Sequence, residues 1–534
     1  MKINKPKVFL WLVLILGFLF DFLFVKKTLG ISFFIFVMLV VISGLYLAKI
    51  ENKKPNKTTL YLLIPIFYFS IMSFVRAEPM TTFLNYALTI VLLGIFANSF
   101  LGGKWFSYGI IDYFLGAVNL GFSAITRQSA LINTLSSKDK AEGEQPTKRR
   151  KIWSYVRGLA LAIPIVYFFS SLLTSADPVF AQEFEEFFKI FKIENLGEYI
   201  SRSILILIIA YLIAGIFMHA FYKNHDEKLN KNKIPSFLGF TETSIILGSV
   251  NILFLSFVIV QFQYFFGGKA NVVLEGYTYA EYAQRGFAEL VAVAVFSLLL
   301  FIGLSSISKK QEKNKQNIFS GMGIALFLLI GVILVSALQR MLIYEEAYGF
   351  TRLRTYTHVF IIWLAILLAG IVILEIIKMQ KYFTLFMMVA AIGFAASLNL
   401  LNVDAFITNM NFSRFESGEE LDIGHLASLS EDMLPTIFTL YSDQEDFNEE
   451  IGGVISCHAE RNQYYNYSEK YYSKYDWRSF QFARYWAENN WNQQLNKEDS
   501  SAFENNIVFD EDEYYPYVFV NNEKVSCWEY AFYD

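Results

Sequence analysis

The chain has 534 residues, of which 54% are apolar and only 18% charged, with a formal net charge of −4. Soluble globular domains carry about a quarter charged residues, so this composition excludes an ordinary soluble enzyme. The charge is unevenly divided: residues 402–534 hold 8 Lys+Arg against 26 Asp+Glu, net −18, leaving 37 basic and 23 acidic residues, net +14, in 1–401.

A bilayer core needs about 20 apolar residues per helix. Hydropathy predicts about eleven spans near 8–25, 31–48, 59–75, 80–101, 153–173, 199–221, 243–266, 287–306, 318–339, 357–377 and 383–401. Period-two alternation, the mark of a membrane barrel, is absent. Of the 37 Lys and Arg in 1–401, 26 fall in the loops of one side, including Lys2, Lys49, Lys54, Lys104, Arg149, Lys231, Lys310 and Lys381, which leaves 11 for the other. Basic residues stay on the cytoplasmic side, so the N-terminus is expected inside and, after an odd number of spans, 402–534 outside. Residues 105–126 are apolar but hold Asp112, Asn119 and three glycines, which predicts an interfacial or re-entrant segment.

Span 1 lacks a small-residue cleavage site and reads as a signal anchor. The expected divisions are a four-span front at 1–104, an interfacial segment and polar cytoplasmic linker at 105–151, a seven-span core at 152–401 and an acidic extracytoplasmic domain at 402–534. The tail opens with a helical pattern at Val403, Phe406, Ile407 and Met410. Ser430 is expected to cap a helix over 431–441, and a third helix is read across 464–488. Asn521-Asn522 between Tyr517–Val520 and 525–528 predicts a terminal β-hairpin. The fold class is therefore an all-α polytopic membrane bundle with a mostly helical tail. The two cysteines, Cys457 and Cys527, both lie in the tail. An oxidising exterior allows a disulfide between them; two free thiols are the alternative.

Three loops are expected on the outer face, and they carry the candidate binding residues: Asp177 in the first, Tyr279, Glu281, Tyr282 and Arg285 in the second, Tyr344, Glu345, Tyr348, Arg352 and Arg354 in the third. Aromatic faces stack on sugars or apolar groups, and Arg forks grip carboxylate or phosphate. The competing reading makes the same residues interfacial aromatics and ion pairs that tie helix ends. The third loop, with Ala176-Asp177-Pro178-Val179-Phe180 and Tyr279-Ala280-Glu281-Tyr282-Ala283-Gln284-Arg285-Gly286-Phe287, resembles a bacterial family of polytopic inner-membrane proteins, the domain of unknown function 4173 family, close to the 4153 group. Asn402-Val403-Asp404-Ala405, Leu421-Asp422-Ile423 and Asp476-Trp477-Arg478-Ser479 with Arg484 are similar too. The resemblance runs from about residue 150 to the end of the third tail helix, and it implies architecture, not mechanism.

Catalytic and cofactor motifs are lacking. There is no His-Glu-x-x-His pattern or Walker loop, so neither metal nor cofactor is expected. A lipid-linked transferase would need an acid at the outer end of an early span, where Asp21 and Glu78 are the offers. A permease usually carries ionisable groups near the midplane, and here the apolar runs are clean. The expectation is a non-enzymatic envelope protein for sensing or assembly, its partners the lipid bilayer and an extracytoplasmic protein or glycan. Nucleic acid is not among them, since the acidic tail repels it.

Overall fold

In a computed structural model, the described residues are 3–128, 169, 173, 196–223, 236–266, 287–309, 312–443, 449–458, 476–494, 507–508, 517–521 and 523–527. Among them ten helices are long and apolar enough to cross a bilayer. In chain order these are α1 (Pro6–Phe24), α2 (Ile31–Ile50), the pair α3 (Lys57–Leu60) and α4 (Leu63–Val75) acting as one span, and α5 (Pro79–Ser99). After the shorter α6 (Ile110–Thr126) come α7 (Leu196–Tyr222), α8 (Phe240–Phe266), α9 (Phe287–Ile307), α10 (Lys313–Tyr348), α11 (Arg352–Ile376) and α12 (Phe383–Leu401). The expected span at 153–173 lies outside the described residues. The protein is an all-α, multi-pass membrane protein. Its helix surfaces say why: Phe83, Ile252, Phe296 and Leu328 are each more than 60% exposed, a placement that costs free energy in water and none in lipid.

The helices fall into two compact units. The first comprises residues 1–25, 39–55 and 118–223. Here α1 lies along α7. Gly17 lets them approach, since a Cβ there would stand 2.5 Å from the Ile206 carbonyl oxygen, and Phe9 meets Phe217 and Phe221 edge-on. Buried Asp21 accepts two hydrogen bonds from Arg202 Nε at 3.1 Å and one from Nη2 at 2.6 Å. At the other end Glu51 accepts from the backbone of Asn4 and Lys5 and from the Tyr222 hydroxyl.

The second unit holds residues 26–38, 56–117 and 224–534. α10 is its axis, flanked by α8, α9 and α11, with α12 against α11 and α4 against α5. At 1.5 Å per residue, the 36 residues of α10 run roughly 54 Å, well beyond a bilayer core of about 30 Å. The bundle core is apolar, built around Phe301, Leu326, Phe327, Ile330, Ile361 and Ile371.

The chain does not leave this unit at Leu401. Asn402 takes a left-handed conformation (φ +53°) and turns α12 directly into α13 (Val403–Glu416), the helix expected from the Val403, Phe406, Ile407, Met410 pattern. Then follow α14 (Ile423–Ser428) and a 3-10 turn at Glu431–Met433, whose cap is Ser430. α15 (Leu434–Asp443), a helical stretch at 449–458 and α16 (Phe482–Gln494) complete the helical part. The read-out helix at 464–488 is described only from residue 476, and there it begins at Phe482. Leu426, Leu429, Met433, Ile437, Ile451 and Ile455 form a core continuous with Leu398 of α12, with Leu84, Val359 and Phe394 packed against it.

The expected hairpin is present: β2 (Tyr517–Val520) pairs antiparallel with β3 (Glu523–Ser526), in the register Tyr517 to Ser526 and Val520 to Glu523. A third strand, β1 (Ile507–Val508), extends the sheet beyond β2. Gly453 admits the sheet, because a Cβ there would lie 2.7 Å from Val520 Cγ2. Asn521 at the turn donates to Glu449 and Glu450, and a disulfide joins Cys457 to Cys527. The sheet is thus held at both ends against 449–458. Cys527→Ser is expected to cost the tail about 2 to 4 kcal/mol, the usual worth of a native disulfide. Limited proteolysis should then cut at 517–527 while the membrane helices stay intact.

Candidate functional site

Polar side chains in the second unit concentrate where the tail meets the ends of the helices. The link 76–78 between α4 and α5 is short, and Pro79 sits at the first position of α5, where its missing N–H costs nothing. Glu78 caps that helix, its carboxylate accepting from Met80 N at 2.8 Å and Thr81 N at 2.7 Å. It also accepts the hydroxyls of Thr81 and Tyr356.

Two tail aspartates close on this end. Asp404, in the first turn of α13 and fully buried, takes a paired contact from Arg352: Nε to Oδ1 at 2.9 Å and Nη2 to Oδ2 at 2.8 Å. Ser430 N adds a third bond at 2.7 Å. Burial pushes the Asp404 carboxyl up, but the Arg352 bonds and charge outweigh it and hold it below the ordinary carboxylate range. Asp432, 3% exposed, accepts from Ala77 N at 2.7 Å and Glu78 N at 2.9 Å. Its nearest cation, Arg76 Nη1, stands at 3.7 Å. There burial prevails over those donors, and the carboxyl is pushed up to about 6.

The surroundings complete a polar seam. Arg76 Nε donates to the Asn399 carbonyl at 2.9 Å, and Gln481 donates to the Arg76 carbonyl at 2.8 Å. Asn85 of α5 and Asn399 of α12, both wholly buried, exchange amide bonds at 2.9 and 2.8 Å. Farther along the tail, Arg478 and then Lys27 hold Asp476 well below the ordinary range.

Among the residues singled out from sequence, Asp177, Tyr279, Glu281, Tyr282 and Arg285 lie outside the described residues. The third loop divides into two sets. Arg352 and Glu345 point inward: Arg352 binds Asp404, and Glu345, 2% exposed, has Oε1 3.1 Å from His358 Nδ1. That last contact has ion-pair distance without hydrogen-bond geometry. Tyr344, Tyr348 and Arg354 form the other set. The Arg354 guanidinium lies 4.2 Å from the Tyr344 ring centre and 6.0 Å from that of Tyr348, while Nη1 donates to the Tyr348 and Gly349 carbonyls. Asn411 brackets the same turn, accepting from Phe350 N and donating to its carbonyl. Sequence reasoning passed over Asp432, Asn85, Asn399 and Gln481 altogether. It met Asp404 only inside a motif.

A family profile described as "Domain of unknown function (DUF4153)" matches residues 63–440. The chain belongs to the DUF4153 family. The match is to this group, and the neighbouring 4173 assignment is not confirmed. It begins at α4, ahead of the stretch where the resemblance was read, and so takes in Arg76, Glu78 and Asn85. At its other end it covers Asp404 and Asp432 but stops short of Asp476 and Arg484. No curated protein and no solved structure matches the chain.

Two predictions follow from the two aspartates of this DUF4153 seam. Asp404→Asn strands the Arg352 charge, which costs about 3 to 5 kcal/mol for a buried pair. Chemical unfolding followed by Trp fluorescence should register it, and adding Arg352→Met should restore much of the loss. For Asp432 the sign is opposite. A carboxyl raised above its unfolded value stabilises fully below about 4, and that contribution is lost as pH rises through about 6. Asp432→Asn keeps an acceptor for Ala77 N and Glu78 N and no longer titrates. It should therefore match the wild type below about pH 4 and exceed it at pH 8, by up to about 3 kcal/mol.

Proposed function

We propose that the chain is a non-enzymatic protein of the bacterial cytoplasmic membrane, with its N-terminus inside and its acidic tail outside, whose outer face receives a protein or glycan partner in envelope sensing or assembly. The observation that carries this reading is the division of the 344–354 loop. One set of residues locks the tail to the bundle, and the other, Tyr344, Tyr348 and Arg354, is stacked and held at a helix end with Tyr348 57% exposed. A rigid aromatic pair with a guanidinium loses little entropy on contact, the property of residues that dominate interfaces. Asp177 and the 279–285 stretch belong to the same outer-face set in this reading.

Two alternatives fare less well. The acids that a lipid-linked transferase would use are engaged, Asp21 by Arg202 and Glu78 by four donors. For a permease, the α10 face between Ser320, which bonds buried Glu375, and Glu345 offers Gly323, Phe327, Ile330, Leu334 and Met341. Buried Ser336, in the same stretch, is already engaged with Gln261 at 2.9 Å. The disulfide in the tail favours an oxidising compartment.

Orientation is tested with single added cysteines, since the native pair is bonded. Glu420→Cys should react with a membrane-impermeant maleimide in intact cells, and Lys54→Cys only after permeabilisation; the reverse pattern overturns the outside tail. The partner is tested with a photo-crosslinking residue at position 348. A discrete protein or glycan adduct is expected, reduced several-fold by Arg354→Ala at unchanged protein level. Adducts to lipid alone would sink the partner reading.

A further inference from the structure

The acidic tail contains one stretch that breaks its own rule. Residues 476–485, Asp-Trp-Arg-Ser-Phe-Gln-Phe-Ala-Arg-Tyr, hold one acid, two arginines and four aromatic residues, in a tail whose net charge is −18. Its single acid, Asp476, is neutralised by Arg478 and Lys27. Three of its aromatics are unusually exposed for their size: Trp477 57%, Phe482 47% and Tyr485 53%.

The position of this stretch is fixed by what it binds. Phe480 accepts from Ile31 N at 2.9 Å, Ser479 donates to the Thr28 carbonyl at 3.0 Å, and Lys27 reaches Asp476 at 3.2 Å. Gly30 makes this possible, because a Cβ there would stand 2.5 Å from the Ser479 carbonyl carbon. All four partners lie in the short loop after α1 or at the first residue of α2. Gln481 then binds the Arg76 carbonyl, in the link between α4 and α5, and α16 packs against α4. Both loops join consecutive spans and so lie at the membrane boundary. α2 and the α3–α4 span separate them, an even number of crossings, so both lie on the same boundary. A segment hydrogen-bonded to two such loops is at headgroup depth. The first of these loops also exposes Leu29, 51%.

We propose that Trp477, Phe482 and Tyr485 form a lipid-contacting edge, seated in the headgroup layer of the leaflet on the tail side and continuous with the lipid-facing surface of the spans. Amphipathic rings concentrate at that depth; with Arg478 paired to Asp476 and Arg484 3.7 Å from Glu431, the edge meets the lipid through its rings. The tail is then a domain lying on the bilayer, with its acidic groups directed elsewhere. The inference needs the spans but not their orientation, so it stands or falls separately from the outer-face partner.

The test uses the full chain reconstituted in phosphatidylcholine–phosphatidylglycerol vesicles, with an environment-sensitive fluorophore on Trp477→Cys, on Phe482→Cys or, as a water-exposed reference, on Glu420→Cys. Labels at 477 and 482 should be quenched several-fold more by lipids spin-labelled high on the acyl chain than the label at 420. Aqueous iodide should show the reverse order. Quenching of both labels by iodide as strongly as at 420 would overturn the proposal. So would resistance of both to either quencher, the result expected if protein covers this edge. Using two sites guards against one substitution disturbing the loop contact.

Discussion

The architecture depends on one buried ion pair. Arg352 opens α11 and Asp404 opens α13. A cation at a helix N-terminus opposes the helix dipole, and an anion there is favoured. Arg352 alone would thus destabilise the helix it begins, and its capping residue Thr351 makes no side-chain bond to help. Asp404 corrects this, placing a carboxylate near the starts of two helices and engaging the guanidinium with paired bonds. Because the αL turn at Asn402 leaves no linker between the last span and the tail, the pair sets the direction in which the tail departs. Everything after residue 404 inherits that direction.

The seam holds two carboxylates in different electrostatic conditions within one buried patch. Asp404 has a guanidinium in direct contact. Asp432 has backbone N–H donors and a cation only at 3.7 Å. Dipoles satisfy hydrogen-bonding capacity without cancelling the cost of removing a charge from water. That difference explains why burial wins at one and loses at the other. The neighbouring Asp404 charge adds to the rise at Asp432. Buried ionic groups contribute little net stability compared with apolar packing. Their value here is geometric: each fixes a tail residue to a specific backbone position at a helix end.

Much of the fold was legible, because the bilayer imposes a long apolar run on every crossing. The ten described spans fall where hydropathy put them, and the hairpin followed from Asn521-Asn522 between β-rich runs. The seam was harder for a physical reason. Its members are far apart in sequence, as in Asn85 with Asn399 or Glu78 with Tyr356, and pairing across three hundred residues leaves no local periodic trace. Two signals were available. Glu78-Pro79 marks a capped helix start, so Glu78 was better read as a cap than as a spare acid. Asp404 lies between Val403 and Ala405, with Ile407 and Thr408 a turn later, all buried. An acid on the apolar face of a helix asks for a cation, and Arg352 begins a span within the same family motifs. The loop 344–354 was read as one patch because its charges are adjacent in sequence. A helix C-terminus followed by a helix N-terminus turns neighbours to different sides.

The same geometry bears on charge distribution across the membrane. The span ends that the tail meets carry cations of their own, Lys27, Arg76 and Arg352. Around the seam those cations are met by tail carboxylates: Lys27 by Asp476, Arg76 by Asp432 and Arg352 by Asp404. The loops bearing Lys27 and Arg76 share a boundary because two crossings separate them. The turn before Arg352 shares one with Asn402 for the same reason, and Asn402 Nδ2 reaches the Asp432 carbonyl. The tail therefore gathers the ends of the spans onto one face and neutralises their cations there. An acidic C-terminal segment is what such a face requires, and its net charge of −18 exceeds that local demand.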